Sequence, residues 1–141
     1  MSYKDFTQLS VWQKGFELAK EIYFETKRFP DDERFGMISD MRRAANSIAR
    51  NSAEGFGRYE ARDKTRFYKV SRGGAYEVMS QVIIAAELQF IEQKKSELLI
   101  ENCKSTVNEL DLLLVSLEKK PSPPLFPSSS YAMNKNKQRG K

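Results

Sequence analysis

The sequence predicts an all-α protein, an antiparallel up-down four-helix bundle over residues 1–118, with a basic Pro/Ser/Lys-rich tail at 119–141. Three observations predict it. Apolar residues recur every three or four positions through four separate segments, the spacing of a buried helix face. No segment alternates apolar with polar residues as a half-buried strand does, and there is no internal repeat. The joints between the segments are short, which makes sequential helices antiparallel neighbours. A chain of 141 residues is one domain by length.

The first helix is expected from about Ser10 to Arg28. Trp12, Phe16, Ala19 and Tyr23 step by 4, 3 and 4 and mark its buried stripe, which Val11, Leu18 and Ile22 widen. Phe29-Pro30 stops it, because a residue before proline avoids the helical region. Asp31 or Asp32 is placed to cap the next helix. The second helix is expected from about Glu33 to Glu54, with Met37, Met41, Ala45, Ile48 and Ser52 inward. Ala44, Ala45, Ala49 and Ala53 make it slim, and Gly55 is placed as its left-handed C-terminal cap.

The third helix is expected from about Ala61 to Gln89, with two stripes. Phe67, Ser71, Gly74, Val78 and Val82 form one; Ala75, Met79, Ile83, Ala86 and Phe90 form the other. Gly73 and Gly74 each cost about 1 kcal/mol against alanine inside a helix. Close backbone approach to the alanines of helix two is therefore expected of both. The fourth helix, about Lys94 to Lys119, has the heptad-like seam Leu99, Cys103, Val107, Leu110, Leu114 and Leu117. Pro121, Pro123, Pro124 and Pro127 end it, and disorder is expected beyond. The stripes hold more apolar surface than one small bundle needs, which points to an oligomer.

The net charge of +5 is unevenly spread. Residues 1–118 hold 18 Lys and Arg against 19 Asp and Glu; residues 119–141 hold six basic residues and no acids. Within the body, residues 42–72 carry nine basic and three acidic side chains, and residues 77–118 carry three and eight. A polarised surface follows. No apolar run approaches the roughly 20 residues that span a bilayer. The N-terminal residues lack an apolar signal region, and one cysteine cannot form an internal disulfide. A cytoplasmic location is expected. The chain has no histidine, which removes the usual general base and the commonest metal ligand. No cofactor, no metal and no catalysis are expected.

"GFGR" at 55–58 lacks the third glycine and the preceding strand of a dinucleotide fingerprint, so it reads as a helix-capping turn. Glu54, four residues after Arg50, reads as its intrahelical partner or as a bond fixing the turn. Trp12 reads as core or interface, with base stacking as the alternative. Phe67 reads as core, Tyr68 is undecided, and Cys103 reads as a buried thiol. Arg58, Arg62, Arg66 and Lys69 step by 4, 4 and 3, one ridge if helical; Arg43 and Arg50 form a second on helix two, and Arg72 extends the basic segment. These rows are either a solvated face or phosphate contacts.

The segments "FTQLSVWQKGFELAKEIY", "FPDDERFGM", "RRAANSIARNSAEGFGR" and "SRGGAYEVMSQVIIAAEL" resemble the 23S rRNA-intervening-sequence protein family, also called the four-helix-bundle protein family. The likeness covers residues 6–118. Its anchors are Val11-Trp12-Gln13-Lys14, Phe29-Pro30, Arg42-Arg43-Ala44-Ala45, Ala53-Glu54-Gly55-Phe56-Gly57-Arg58, Arg72-Gly73 and Glu77. Trp12, Pro30, Glu54, Gly55, Gly57, Gly73, Gly74 and Glu77 are accordingly taken as structural positions. Ser52 stands where the family often has isoleucine, and Gly74-Ala75 where it often has Ser-Leu. The resemblance implies a homopentameric barrel of bundles. It also implies RNA or other nucleic acid as a partner, or a reverse transcriptase or other protein, as in accessory proteins of diversity-generating retroelements. Two functional readings follow: a non-enzymatic RNA-associated oligomer, and a protein–protein accessory scaffold.

Overall fold

In the computed structural model of the protein, residues 5–118 are described, and the tail expected at 119–141 lies outside them. Four helices carry the fold: α1 (Ser10–Thr26), α2 (Ser39–Gly57), α3 (Ala61–Glu87) and α4 (Gln93–Glu118). α2 packs on α1 and α3, α3 on α4, and α4 on α1. Arg43 meets Glu77 and Ser52 meets Ser71; Thr26 meets Arg42 while Gly15 faces Ala49; Arg72 meets Asp111, and Glu21 meets Lys95, so each of these neighbours runs antiparallel. The up-down four-helix bundle expected from the sequence is therefore the fold of the described residues.

α1 buries Val11, Gly15, Leu18 and Ile22, also at steps of 4, 3 and 4. The stripe assigned from Trp12, Phe16, Ala19 and Tyr23 is thus one residue out of phase. Trp12 and Ala19 are half-buried, and Phe16 and Tyr23 are exposed. The reason is Gly15. A Cβ there would lie 2.8 Å from Ile48 Cγ2 and 2.9 Å from the Ala49 backbone nitrogen. The bare glycine lets α1 close onto α2, and that contact fixes which face turns inward.

The α1–α2 joint differs from expectation. α1 stops at Thr26, where the Thr26 hydroxyl donates to the Ile22 carbonyl at 2.6 Å. Phe29 is buried against Phe90, and Pro30 opens a 3₁₀ turn, Asp31–Glu33. A π-helical turn, Arg34–Ile38, follows, bent at Gly36 (φ −114°, ψ −107°). α2 therefore begins at Ser39, not Glu33. The side chain that accepts the following turn's N–H is Glu33, from Met37 at 3.2 Å, not Asp31 or Asp32.

α2 runs through Gly55 to Gly57, so Gly55 is no cap. No described glycine has positive φ. Gly55 is needed for another reason: a Cβ would lie 2.7 Å from the buried Tyr68 ring. The helix end is closed by Lys64, whose ammonium donates to the carbonyls of Phe56 (2.8 Å) and Gly55 (3.3 Å). The two neighbouring glycines of α3 part company. A Cβ on Gly74 would sit 3.1 Å from Ser47 Oγ and 3.3 Å from the Ala44 carbonyl oxygen, the expected close approach. Gly73 is exposed and its Cβ would meet nothing within 4 Å.

α3 ends before Gln89, which takes φ 65°. Phe90 N–H bonds the Ala85 carbonyl at 2.8 Å and Gln89 N–H the Ala86 carbonyl at 3.0 Å. This is a Schellman closure with glutamine where glycine is usual. Of α3's two stripes, Ser71, Gly74, Ala75, Val78 and Val82 are buried, whereas Ile83 is 52% exposed. α4 keeps its seam: Leu99, Cys103, Val107, Leu110 and Leu114 are buried and Leu117 is half-buried. One core cluster gathers Leu18, Ile22, Met41, Ile48, Val78, Val82, Leu99 and Cys103. A second joins Leu9, Val11, Tyr68, Leu110 and Leu114. Ser52 is buried with a polar partner. Its hydroxyl lies 3.0 Å from that of Ser71, which donates on to the Ile48 carbonyl at 2.8 Å.

Candidate nucleic-acid interface

The basic segment folds into the outer surface of α2 and α3. On α3, Arg62, Arg66, Lys69, Gly73 and Glu77 step by 4, 3, 4 and 4, and all are exposed. On α2, Arg43, Arg50 and Glu54 step by 7 and 4, and are exposed too. Two contacts bring the rows side by side. Arg43 pairs with Glu77 at 3.1 Å at one end. At the other, Arg58 pairs with Glu54 at 2.7 Å and lies 4.7 Å over the Phe67 ring. Arg66 lies 4.5 Å from the centre of that same ring. Phe67, half-buried rather than core, thus holds two guanidinium groups near one spot.

Arg58 is not part of an α3 ridge. It is the extended residue after α2, ahead of the start of α3 at Ala61, and it reaches the ridge only through Phe67. Glu54 takes Arg58 as its partner, not Arg50.

The candidate cations divide by their partners. Arg43, Arg58, Arg66 and Arg72 pair with Glu77, Glu54, Asp63 (3.8 Å) and Asp111 (2.7 Å) respectively. Arg72 joins α3 to α4, lies apart from the ridge, and is held protonated above the usual guanidinium range by its hydrogen bond to Asp111. Among the described residues no acid pairs with Arg50, Arg62 or Lys69. Arg62, Arg66 and Lys69 rim a shallow hollow with Asp63 and Thr65. Exposed pairs are weak and salt-screened, so paired arginines can still exchange an acid for a phosphate. The unpaired three need no exchange.

The family model of the 23S rRNA-intervening sequence protein matches residues 7–111, nearly the whole bundle. The chain belongs to that family. No curated protein gives a significant match. In this 23S rRNA-intervening sequence family member, the positions taken as structural have mixed fates. Glu54, Gly55, Gly74 and Glu77 make the contacts described above. Pro30 is exposed at the α1–α2 joint, and Gly57, the last residue of α2, is exposed with open space around its Cα. Trp12 is half-buried, stacked on Phe16 (5.2 Å, 16°) with Phe6 edge-on (5.2 Å). Cys103 is fully buried, and burial pushes its thiol up to about 12. Among the described residues no group of three His, Cys, Asp or Glu side chains is placed to hold a metal ion. No described helix is long and apolar enough to cross a membrane.

Sequence reasoning missed two features. Lys64, counted with the basic segment, closes α2. Arg42 is half-buried, donating to Thr26 Oγ1 at 2.9 Å with its guanidinium 4.5 Å over Tyr23. For Lys64 no local signal was readable, because Gly55 and Gly57 at the same helix end read as the cap.

Proposed function

We propose that this family member is a non-enzymatic oligomer that binds RNA, with little sequence preference, through the α2–α3 surface. The observation that carries the reading is the set Arg50, Arg62 and Lys69, exposed cations without acid partners among the described residues, beside two arginines positioned on Phe67. Cations in such an array neutralise phosphates and release counterions, and a rigid helix sets their spacing. A non-enzymatic role is supported by the lack of histidine and by a sole cysteine that is buried and strongly protonated. Assembly is supported by exposed apolar side chains: Ile83 and Ile84 on α3, Leu88 just after it, and Leu98, Leu112 and Val115 on α4. A head-to-tail ring needs two different patches per subunit, and the family resemblance supports a ring of five.

A salt titration of labelled single-stranded RNA tests the reading. The slope of log affinity against log salt is about −0.7 per neutralised phosphate. Replacing Arg50, Arg62 and Lys69 with glutamine should flatten it by about 2. Between 50 and 200 mM salt those three side chains then account for about a twentyfold difference. Removing residues 121–141 should weaken binding less. If the triple variant keeps the wild-type slope while the truncation abolishes binding, the tail is the contact and the helix surface is only solvated. If nothing binds at low salt, the partner is a protein such as a reverse transcriptase.

A further inference from the structure

The shift of α1's buried stripe leaves a second, unassigned surface. Phe16, Lys20, Tyr23 and Lys27 step by 4, 3 and 4 along its outer face, with Phe24 beside them. The rings are open: Phe16 is 43% exposed, Tyr23 39% and Phe24 63%. Each has a cation over its face. Lys20 Nζ lies 5.1 Å from the Phe16 centroid, Lys27 Nζ 5.4 Å from Phe24, and the Arg42 guanidinium 4.5 Å from Tyr23. Rings, lysine stems and Asn46 line a hollow of about 340 Å³. Asn46 Nδ2 donates to the Tyr23 hydroxyl at 2.9 Å, which fixes that ring. Among the acids of this helix, Glu17 contacts Lys20 at 3.4 Å, Glu21 is taken by Lys95, and Glu25 is buried against Arg28. Lys27 has no acid partner among the described residues.

We infer that this strip is a stacking platform for single-stranded nucleic acid, with bases on Tyr23 and Phe24 and phosphates on Lys20 and Lys27, while Phe16, already stacked on Trp12, backs the strip. The inference rests on the RNA-binding reading above and adds a site to it. Single-strand sites combine a cationic track with rings on which successive bases stack. The alternation of ring and cation here supplies both at helical spacing. The alternative occupant is a second copy of the chain. Lysine argues against it, because protein interfaces are depleted in lysine relative to the rest of the surface. A duplex hides its base faces and cannot use the rings, so the platform distinguishes single strands from double. The α2–α3 cations do not.

The test compares a labelled uridine 12-mer with an RNA duplex of equal length, on the full chain at low salt. The variants are Phe24→Ala, Lys20→Gln with Lys27→Gln, and Arg62→Gln with Lys69→Gln as the α2–α3 control. The α1 variants should lose about tenfold or more for the single strand and two- to threefold at most for the duplex. The control should lose affinity for both. The chain's single tryptophan, stacked on Phe16, supplies a direct readout: the 12-mer should shift its fluorescence saturably and the duplex should not. Wild-type affinity of the α1 variants for the single strand overturns the platform and leaves the α2–α3 reading standing. A fall in assembly mass in the α1 variants also overturns it, making the strip a subunit contact. Absence of all binding by the wild type overturns both readings together.

Discussion

Gly15→Ala and Gly73→Ala should move stability in opposite directions, although each adds one methyl to the interior of a helix. In an unobstructed helix the change gains about 0.8–1.0 kcal/mol. Gly73 is such a position, since its Cβ would meet nothing within 4 Å. Its replacement should stabilise by about 1 kcal/mol, a Tm rise of about 4 °C for a domain of this size. At Gly15 the same gain is opposed. The new Cβ would lie 2.9 Å from Ala49 N and 3.2 Å from Ala49 Cα, backbone that cannot rotate away. α1 and α2 must then separate, and overpacking of this kind costs about 1–3 kcal/mol. The net should be a loss of up to about 2 kcal/mol, once the helix gain of about 1 is set against it. Urea denaturation followed by far-ultraviolet circular dichroism measures both. If Gly15→Ala raises the midpoint as much as Gly73→Ala does, the α1–α2 contact is not close and the phase argument for α1 fails. If Gly73→Ala lowers it, something covers that residue in solution.

Gln89→Gly should stabilise by about 0.5–1 kcal/mol, because a left-handed non-glycine residue is strained by about 1–2 kcal/mol; thermal denaturation checks it, and no gain refutes the Schellman strain. Cys103 should resist thiol reagents until the protein unfolds. Its thiol ionises near 12 when folded, against the ordinary value of 9.0, so above pH 9 the unfolded state holds fewer protons. Stability should therefore fall with rising pH, by up to about 1.4 kcal/mol per unit from this group alone. Cys103→Val should remove that component of the slope. Light scattering at micromolar concentration should give five times the 16.3 kDa chain mass, and a monomer would remove the ring.

Periodicity carried the fold because helix faces depend on spacing alone. The α4 seam was legible in full, since Leu99 to Leu114 are aliphatic or sulfur-bearing and nothing competes with them for the interior. α1 was legible as a helix but not in phase. Two stripes of equal spacing lay side by side, and large aromatics outweighed a glycine whose value lies in what it lacks. Gly55 failed for a related reason: a glycine near a helix end is read as a cap, while the ring it faces belongs to another helix. For the basic surface, sequence supplied the cations but not their partners. Arg43–Glu77 and Arg72–Asp111 are 34 and 39 residues apart, beyond any local rule.

The hydroxyl pair between Ser52 and Ser71 has a consequence for how the bundle finds its alignment. Along that contact Gly74 of α3 lies against Ala44, Ser47 and Ile48 of α2, and Gly55 of α2 lies against the Tyr68 ring. A one-turn slip, about 5.4 Å, would break the hydroxyl pair and strand two hydroxyls in the interior, at about 1–3 kcal/mol for each unsatisfied group. The serines therefore act as a detent: they contribute little net attraction, yet they make every misaligned bundle more costly than the correct one.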